Sequence, residues 1–285
     1  MNQHTGNWPG KTVENTSGIC TYGGKHFLLV DIPGTYSIMS HSEEEEIARD
    51  YICFGNPDTT VIIVDATCLE RNLNLVYQIM EITPKIIVCV NLLDEAKKKG
   101  IHIDLKQLEK ELGVPVIGTI ARKKKTLKQL METIKQVCIG EIKPEPKQVK
   151  YIPILEDSIA MLSSRLQHIV PKEKEYLLKW ISLKIIDGEP KILSSIQKNL
   201  KIKESKELEK KKIQVEEMLK KQDFCRENKR DKIIASIVLT AEKVANKVVS
   251  YEKRSYQERD RKIDKILTSK KFGIPIMILF LAFIL

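Results

Sequence analysis

Two short polar turns, each directly after an apolar run, hold the residues of this chain whose types and spacing suggest chemistry. The turn Asp31-Ile-Pro-Gly34 follows residues 27–30, and the turn Asn91-Leu-Leu-Asp94 follows residues 85–90. Ligands of open α/β sheets bind at the carboxyl ends of the strands, so two polar turns at such ends predict one shared site. Turns of this kind bind a γ-phosphate and a guanine base. The chain is therefore predicted to be a GTPase.

Each of these side chains has an expected role. Asp31 would hold Mg²⁺ through water, and the backbone amide of Gly34 would meet the γ-phosphate, because glycine lets the backbone approach closely. Thr12 precedes the first turn and would complete the Mg²⁺ shell, as a switch threonine does. Asn91 and Asp94 would contact the base. Taken alone, the first turn is as often an ordinary surface turn, and Asn91 could instead cap a helix.

The phosphate-binding loop of such enzymes, Gly-x-x-x-x-Gly-Lys-Ser/Thr, is not present in the sequence. The segment from Gly6 to Thr12 resembles it but has one residue too few between its glycines. A functional loop follows a strand and opens a helix. Here the pattern that follows is strand, Gly23-Gly24 turn and strand, which is typical of a hairpin. The segment is therefore predicted to be a switch and not a phosphate loop.

Six ordered blocks of sequence resemble the ferrous iron transport protein B family, bacterial inner-membrane iron transporters with an N-terminal cytosolic GTPase domain. The blocks are residues 6–14, 31–37, 48–51, 64–73, 91–96 and 112–116. The resemblance is dense over residues 2–130 and returns weakly at residues 272–275. It implies that the family's phosphate loop lies upstream of Met1 and that most of the membrane domain lies beyond Leu285.

The resemblance also implies ligands and partners. GTP or GDP with Mg²⁺ would bind, the Ala121 amide would meet the guanine oxygen, and the backbone carbonyls of Gly6 and Trp8 would hold K⁺. The implied partners are the membrane domain of the same transporter, a small iron-transport accessory protein and a second copy of the chain. The family hydrolyses GTP, but no catalytic residue can be assigned here, and the chain is expected to be inactive alone.

Two positions depart from the family pattern around the base, and a third departs from the general guanine-binding motif. Leu92 replaces the lysine of N-K-x-D, which the family also usually lacks. Ile120 replaces a serine that braces the last guanine loop, and Lys124 replaces a glycine. These changes predict weak binding and fast exchange of nucleotide.

Composition excludes several other classes of protein. The net charge of +10 is concentrated in the C-terminal half and is mixed with glutamate, so a nucleic-acid partner is not predicted. The six cysteines include no C-x-x-C pair, and the five histidines are scattered, so neither a disulfide framework nor a metal site is indicated.

Residues 272–285 are apolar and follow a basic segment. They predict the start of a transmembrane helix, with residues 1–268 on the cytoplasmic side of the inner membrane. The alternative is a buried C-terminal helix.

The expected fold class is α/β, a P-loop-GTPase-like and mostly parallel sheet without its first strand, followed by an all-α domain. The domains are a GTPase domain at 1–142, a linker at 143–153, a helical domain at 154–268 and the start of a membrane helix at 269–285. Strands are predicted at 13–22, 26–31, 60–65, 85–91 and 114–118, and helices at 43–54, 70–81, 105–112 and 127–137. The absent strand would lie between the strands that end at Asp31 and Asp65, and its absence would leave two unpaired edges.

Two functions from different classes fit these observations. The first is the cytosolic GTP-binding region of a ferrous iron transporter, which couples GTP binding and hydrolysis to iron uptake. The second is a non-enzymatic, membrane-tethered adaptor derived from a decayed GTPase.

Overall fold

A computed structural model describes residues 2–7, 14–35, 37–38, 42–200, 206–221, 224 and 226–252 of the chain. Its strands are β1 Asn2–Asn7, β2 Glu14–Tyr22, β3 Lys25–Asp31, β4 Thr60–Asp65, β5 Ile86–Asn91, β6 Ile101–Ile103, β7 Val116–Gly118 and β8 Val249–Tyr251. Its helices are α1 Glu43–Phe54, α2 Leu69–Met80, α3 Leu93–Lys98, α4 Leu105–Leu112, α5 Lys124–Cys138, α6 Pro153–Leu166, α7 Leu178–Asp187, α8 Pro190–Leu200, α9 Lys206–Lys220 and α10 Arg226–Val248.

The first sheet is antiparallel, with the strand order β1-β2-β3. A two-residue turn joins β2 to β3, and its residues Gly23 and Gly24 have φ angles of 56° and 73°. Two successive positive φ angles define the hairpin turn that glycine favours. The predicted hairpin is therefore confirmed, and its first strand is described from Glu14 onward. Strand β1 was not expected from the sequence.

The second sheet is parallel, with the order β4-β5-β7. Its middle strand is buried on both faces, as its continuous apolar sequence predicts. Helix α2 packs against one face, and α5 covers the other through Ile134 and Val137, which contact Ile87 and Ile117. Asp65 of β4 lies directly opposite Asn91 of β5. The carboxyl ends of these two strands therefore meet at one edge.

The two sheets are not joined by hydrogen bonds among the described strands. Strands β3 and β4 each end a sheet, and a cavity of about 510 Å³ lies between Leu29–Thr35 and Thr60–Ile63 of the two segments. Ile63 is 66% exposed, although its neighbours Ile62 and Val64 are buried. The sheet is thus divided at the place expected for an absent strand. The expectation of one mostly parallel sheet is corrected to a three-stranded parallel sheet beside a three-stranded antiparallel one.

The helical region packs directly against the α/β region. Tyr151, just before α6, donates a hydrogen bond to the buried carboxylate of Glu81, which follows α2. Helix α8 contacts α1, where the Ser195 hydroxyl donates to Asp50 at 2.9 Å. Helix α10 packs along α2. These contacts fix α1 and α2 from the side opposite the sheet.

Most predicted elements occur close to their expected bounds, and β1 and three further elements were not expected. Strand β8 interrupts a segment that was expected to be only helical, because it pairs with β6 in an antiparallel ladder. Helix α3 and strand β6 are too short to produce a periodic pattern. Among the described residues, no helix is long and apolar enough to cross a membrane, and the expected membrane segment at 269–285 lies outside them.

Candidate functional site

Asn91 joins the two loops that were expected to bind the base. Its side-chain oxygen accepts hydrogen bonds from the Thr119 hydroxyl at 3.1 Å and from the Ala121 backbone N–H at 3.2 Å. The Thr119 backbone N–H in turn donates to the Val90 carbonyl at 2.7 Å. The end of β5 and the loop after β7 are therefore held together. The structure brings Asn91, Asp94 and Ala121 into one cluster, which Asp94 joins through an ion pair with Arg122, the residue after Ala121.

Asp94 lies in the first turn of α3 and forms an ion pair with Arg122 of the same loop. The Asp94 side chain is 17% exposed, whereas that of Arg122 is 69% exposed. Loss of solvent around the carboxylate alone would raise the pKa of Asp94. The Arg122 guanidinium and the backbone N–H groups of Asp94 and Glu95 outweigh this effect and hold the pKa below its usual value. Asp94 is therefore ready to accept hydrogen bonds as a carboxylate at neutral pH.

Leu92 adopts a left-handed backbone conformation between these two polar residues. Its φ of 62° is unusual for a residue that is not glycine. The conformation lets the chain turn sharply from β5 into α3, so that Asn91 and Asp94 face the same loop. The Leu92 side chain is 39% exposed, at the position where other guanine-binding turns carry a lysine.

Two threonines brace the loop after β7, and sequence reasoning had not identified them. The Thr126 hydroxyl accepts from the Ile120 backbone N–H at 3.2 Å and lies 2.8 Å from the Lys123 carbonyl. Thr119 holds Asn91 from the other end of the loop. The support expected from a serine at position 120 is thus supplied from positions 119 and 126. The sequence feature that marks these two threonines is a hydroxyl side chain at each end of a short polar segment.

The turn after β3 is open on one side. Asp31 and Gly34 are exposed, and a Cβ added to Gly34 would meet no heavy atom within 4 Å. Both residues line the cavity between β3 and β4. The backbone of Gly34 is therefore accessible to a ligand.

The residues after this turn are tied to α1 and α2. The Thr35 hydroxyl lies 3.0 Å from a carboxylate oxygen of Glu45 in α1. The Ser37 hydroxyl and the Ile38 backbone N–H both donate to the side-chain oxygen of Gln78, at 2.9 and 2.8 Å. The segment is therefore fixed within four residues of Gly34.

The structure does not place all the predicted site residues together. Asn91 and Asp94 are absent from the cavity that Asp31 and Gly34 line. Thr12 and Trp8 lie outside the described residues, and Gly6 lies in β1 opposite Asn15. The cluster predicted to bind the base is thus assembled, while its relation to the turn at Asp31 and Gly34 stays a prediction.

The residues present fit a guanine nucleotide and a hydrated Mg²⁺ ion. The Asp94 carboxylate can accept from the base, and the open turn at Gly34 can approach a phosphate. One carboxylate, such as Asp31, is sufficient for a Mg²⁺ ion that keeps most of its water ligands. Within the described part of the chain, no group of three or more His, Cys, Asp or Glu residues could hold a metal ion.

Comparisons with known proteins show which proteins this chain is similar to. A family model described as "Ferrous iron transport protein B" matches residues 1–134. The Fe(2+) transport protein A/Fe(2+) transporter FeoB fusion protein of Porphyromonas gingivalis is 27% identical over 290 residues, which cover 98% of this chain and 33% of the relative. The Fe(2+) transporter FeoB of Campylobacter jejuni is 36% identical over 157 residues, which cover 55% of this chain and 25% of the relative. The chain thus spans a third or less of these two relatives.

Solved structures match over most of the described fold. The cytosolic domain of the T. maritima FeoB iron transporter in a GDP form is 29% identical, with a TM-score of 0.71 over 87% of this chain and 90% of that chain. The GMPPNP form of the same domain gives 29% identity and a TM-score of 0.70. This chain is a homologue of the N-terminal cytosolic GTPase domain of the ferrous iron transport protein B family.

Proposed function

We propose that this chain is the guanine-nucleotide-binding region of a ferrous iron transporter, and that it couples GTP binding and hydrolysis to Fe²⁺ uptake across the bacterial inner membrane. The observation that carries the proposal is the cluster in which Asn91 holds Ala121 beside the carboxylate of Asp94. Relatives named as Fe(2+) transporters, and solved homologues in GDP and GMPPNP forms, support it. Fe²⁺ is the transported ion and is not expected to bind within the described residues.

Base recognition follows from the chemistry of two groups. The Asp94 carboxylate accepts hydrogen bonds only, so it matches the N–H donors at N1 and the exocyclic amine of guanine. The Ala121 backbone N–H donates, so it matches the guanine carbonyl oxygen. Adenine presents the opposite pattern on this edge and would leave both groups unpaired. Asn91 positions the Ala121 loop against the end of β5.

Phosphate sensing is proposed for the turn after β3. The Gly34 amide would meet the γ-phosphate, while Asp31 and Thr12 would hold Mg²⁺, with Asp31 acting through water. When bound, the nucleotide phosphates would supply negative charge and oxygen ligands, and Mg²⁺ would neutralise part of that charge. Because Thr35, Ser37 and Ile38 are hydrogen-bonded to α1 and α2, a shift at Gly34 would be transmitted to both helices.

The catalytic group is not assigned to a residue. The side chain of Arg49, a cation on α1, is 2% exposed and pairs with Asp50 at 2.8 Å. It is therefore not available to a phosphate. By resemblance, K⁺ held by the carbonyls of Gly6 and Trp8 would supply the positive charge. Without the phosphate loop in this sequence, affinity and turnover are expected to be low.

The proposed partners follow from the comparisons. The membrane domain of the same transporter and a second copy of the chain are proposed by resemblance. A small accessory protein is supported by the P. gingivalis relative, which joins Fe(2+) transport protein A to FeoB. The proposed location is the cytoplasmic side of the inner membrane. Residues 1–268 would lie on that side.

A competition titration tests the proposal. A fluorescent GDP analogue is added to the full 285-residue chain with Mg²⁺, and unlabelled GDP, ADP or XDP then competes for the site. The proposal predicts displacement by GDP at concentrations at least about tenfold lower than by ADP or XDP, because two hydrogen-bonding groups are matched only by guanine. Equal displacement by all three nucleotides would overturn guanine recognition.

A non-enzymatic adaptor is a second candidate. Exposed apolar side chains favour it: Ile19, Leu28 and Ile63 are 57%, 68% and 66% exposed. A partner protein that covers these residues would remove a large apolar area from water. The same titration separates the two candidates, because an adaptor of this kind would bind none of the three nucleotides.

A further inference from the structure

Both groups that would read guanine are already occupied by groups of the chain itself. The Asp94 carboxylate is paired with the Arg122 guanidinium, and the Ala121 backbone N–H donates to the Asn91 side chain. Arg122 and Ala121 are adjacent in one loop. A bound base would compete with these contacts, and Asp94 has to release Arg122 before it can accept from guanine.

The guanidinium of Arg122 is chemically similar to the edge of guanine that Asp94 would read. Guanine presents an N–H and an amine on the two sides of one carbon atom, which is itself a guanidine arrangement. Arginine presents the same planar pair of N–H donors and is always charged. A carboxylate placed to accept from one of them is therefore also placed to accept from the other.

The surroundings allow the side chain of Arg122 to leave without unfolding the loop. Arg122 is 69% exposed, so its side chain has space in solvent. The loop on both sides is fixed by hydroxyl groups, with Thr119 bonded to Asn91 and Thr126 bonded to the Ile120 backbone. Exchange of partners at Asp94 thus requires movement of one side chain.

We propose that Arg122 is an internal competitor for guanine, which occupies Asp94 in the empty protein and must be displaced before the base can bind. The inference rests on the proposed function and identifies a specificity-determining residue of that site. Affinity for the nucleotide is then reduced by the fraction of molecules in which Arg122 holds Asp94.

The opposite role is chemically possible and makes the test decisive. An arginine in a nucleotide loop can stack on the base or pair with a phosphate and so strengthen binding. Removal of the Arg122 side chain increases the affinity for nucleotide if Arg122 is a competitor, and decreases it if Arg122 contacts the nucleotide. The sign of the change in affinity therefore decides between them.

The experiment compares Arg122→Ala with Lys123→Ala in the full chain. Lys123 is the next residue, it is exposed, and its side chain makes no cap contact with α5, so its removal controls for loss of one positive charge. A fluorescent GDP analogue is titrated into each protein at low and high salt. Arg122→Ala is expected to bind about two- to fivefold more tightly than wild type at low salt, the range of an exposed ion pair. The gain is expected to shrink at high salt, where the pair is screened.

A second measurement on the nucleotide-free protein keeps the inference testable. The pKa of the Asp94 carboxyl, followed by ¹³C NMR, should rise in Arg122→Ala and stay unchanged in Lys123→Ala, because the Arg122 guanidinium lowers it together with backbone N–H groups that both variants keep. An unchanged pKa in Arg122→Ala would overturn the inference without reference to any nucleotide. Unchanged or weaker GDP binding by Arg122→Ala, with wild type binding normally, would also overturn it. Failure of every variant to bind guanine nucleotide overturns the proposed function itself.

Discussion

Gln78 of α2 accepts hydrogen bonds from Ser37, through its hydroxyl at 2.9 Å, and from the next backbone N–H at 2.8 Å. Gln78 is 8% exposed, so both bonds are shielded from water. Ser37 and Ile38 are thus both held by one side chain of α2, the helix Leu69–Met80. Helix α2 links the turn at Gly34 to the helical region through the bond between Glu81 and Tyr151.

Gln78→Met should lower the free energy of unfolding by about 1–3 kcal/mol, because it keeps the volume but removes the oxygen that accepts from the buried Ile38 N–H and from the Ser37 hydroxyl. Urea unfolding measures the change. Gln129→Met, at an exposed position of α5, is the matched control and should stay within about 0.5 kcal/mol of wild type. A loss at Gln129 equal to that at Gln78 would show that the hydrogen bonds to residues 37 and 38 contribute nothing.

Glu81→Gln should change the pH dependence of stability. Burial raises the pKa of Glu81 above its ordinary value of 4.5, and the Tyr151 hydrogen bond and nearby lysines only partly oppose this. The folded protein then binds more protons than the unfolded chain in the window above pH 4.5. Wild type therefore loses stability relative to Glu81→Gln as pH rises through that window, by at most about 1.4 kcal/mol per pH unit.

Thermal unfolding of both proteins between pH 4 and pH 8 checks this sign. Below pH 4.5 the two proteins should have similar stability, because the wild-type carboxyl is then neutral in both states. Tyr151→Phe removes a hydrogen bond that lowers the pKa of Glu81. It should therefore raise this pKa further and extend to higher pH the range over which stability falls. A stability difference that is constant with pH would contradict the assignment of a raised pKa to Glu81.

Gly34→Ala should leave the fold intact and weaken binding of the triphosphate more than of the diphosphate. A Cβ at Gly34 has open space, and the backbone there is not left-handed, so stability should change by less than about 0.5 kcal/mol. The added methyl group would nevertheless stand between the amide and a γ-phosphate. Competition by GMPPNP and by GDP, compared in both proteins, measures the effect.

The control for this substitution is Gly24→Ala, which also meets no heavy atom within 4 Å. Its φ of 73° is left-handed, so it should cost about 1 kcal/mol of stability and change no nucleotide preference. If Gly34→Ala reduced GMPPNP and GDP binding by the same factor, the turn would not be a γ-phosphate sensor.

Ile63→Lys should reduce self-association of the protein. Ile63 is 66% exposed on β4, which ends its sheet among the described strands, and unpaired apolar edges favour edge-to-edge pairing. Light scattering as a function of concentration should show a lower apparent mass for this variant. Ile62→Lys, at a position that is 4% exposed, should instead unfold the domain. Unaltered association in a folded Ile63→Lys protein would show that this edge does not promote self-association.

Local sequence patterns predicted much of the fold. The bounds of β4, α1 and α4 agree with the structure, since each has a clear alternation or helical period and a polar residue at its start. Ser42 and Asp104 cap α1 and α4 through their side chains, as those residue types favour. Strand β8 could not be predicted, because three residues at the end of a helical pattern pair with a segment far away in the chain.

The site was predicted in its residue types but not in its partners. The spacing of Asn91 and Asp94 indicated a base-binding turn, and the structure places both beside Ala121. The contacts made by Arg122 and Thr126 depend on how the loop after β7 folds back onto β5 and α5. Sequence spacing does not contain that information, since both residues have other common roles on exposed surfaces.

The most direct test of the account is to exchange the nucleotide preference of Asp94. Asp94→Asn replaces an acceptor by a donor, so it removes the match to guanine and creates one to the carbonyl of xanthine. We predict that GDP affinity falls about tenfold or more, while XDP affinity rises above that of wild type. Asp58→Asn, at an exposed loop position, should change neither. Undiminished GDP binding by Asp94→Asn, with no gain for XDP, would contradict the claim that this cluster reads the base.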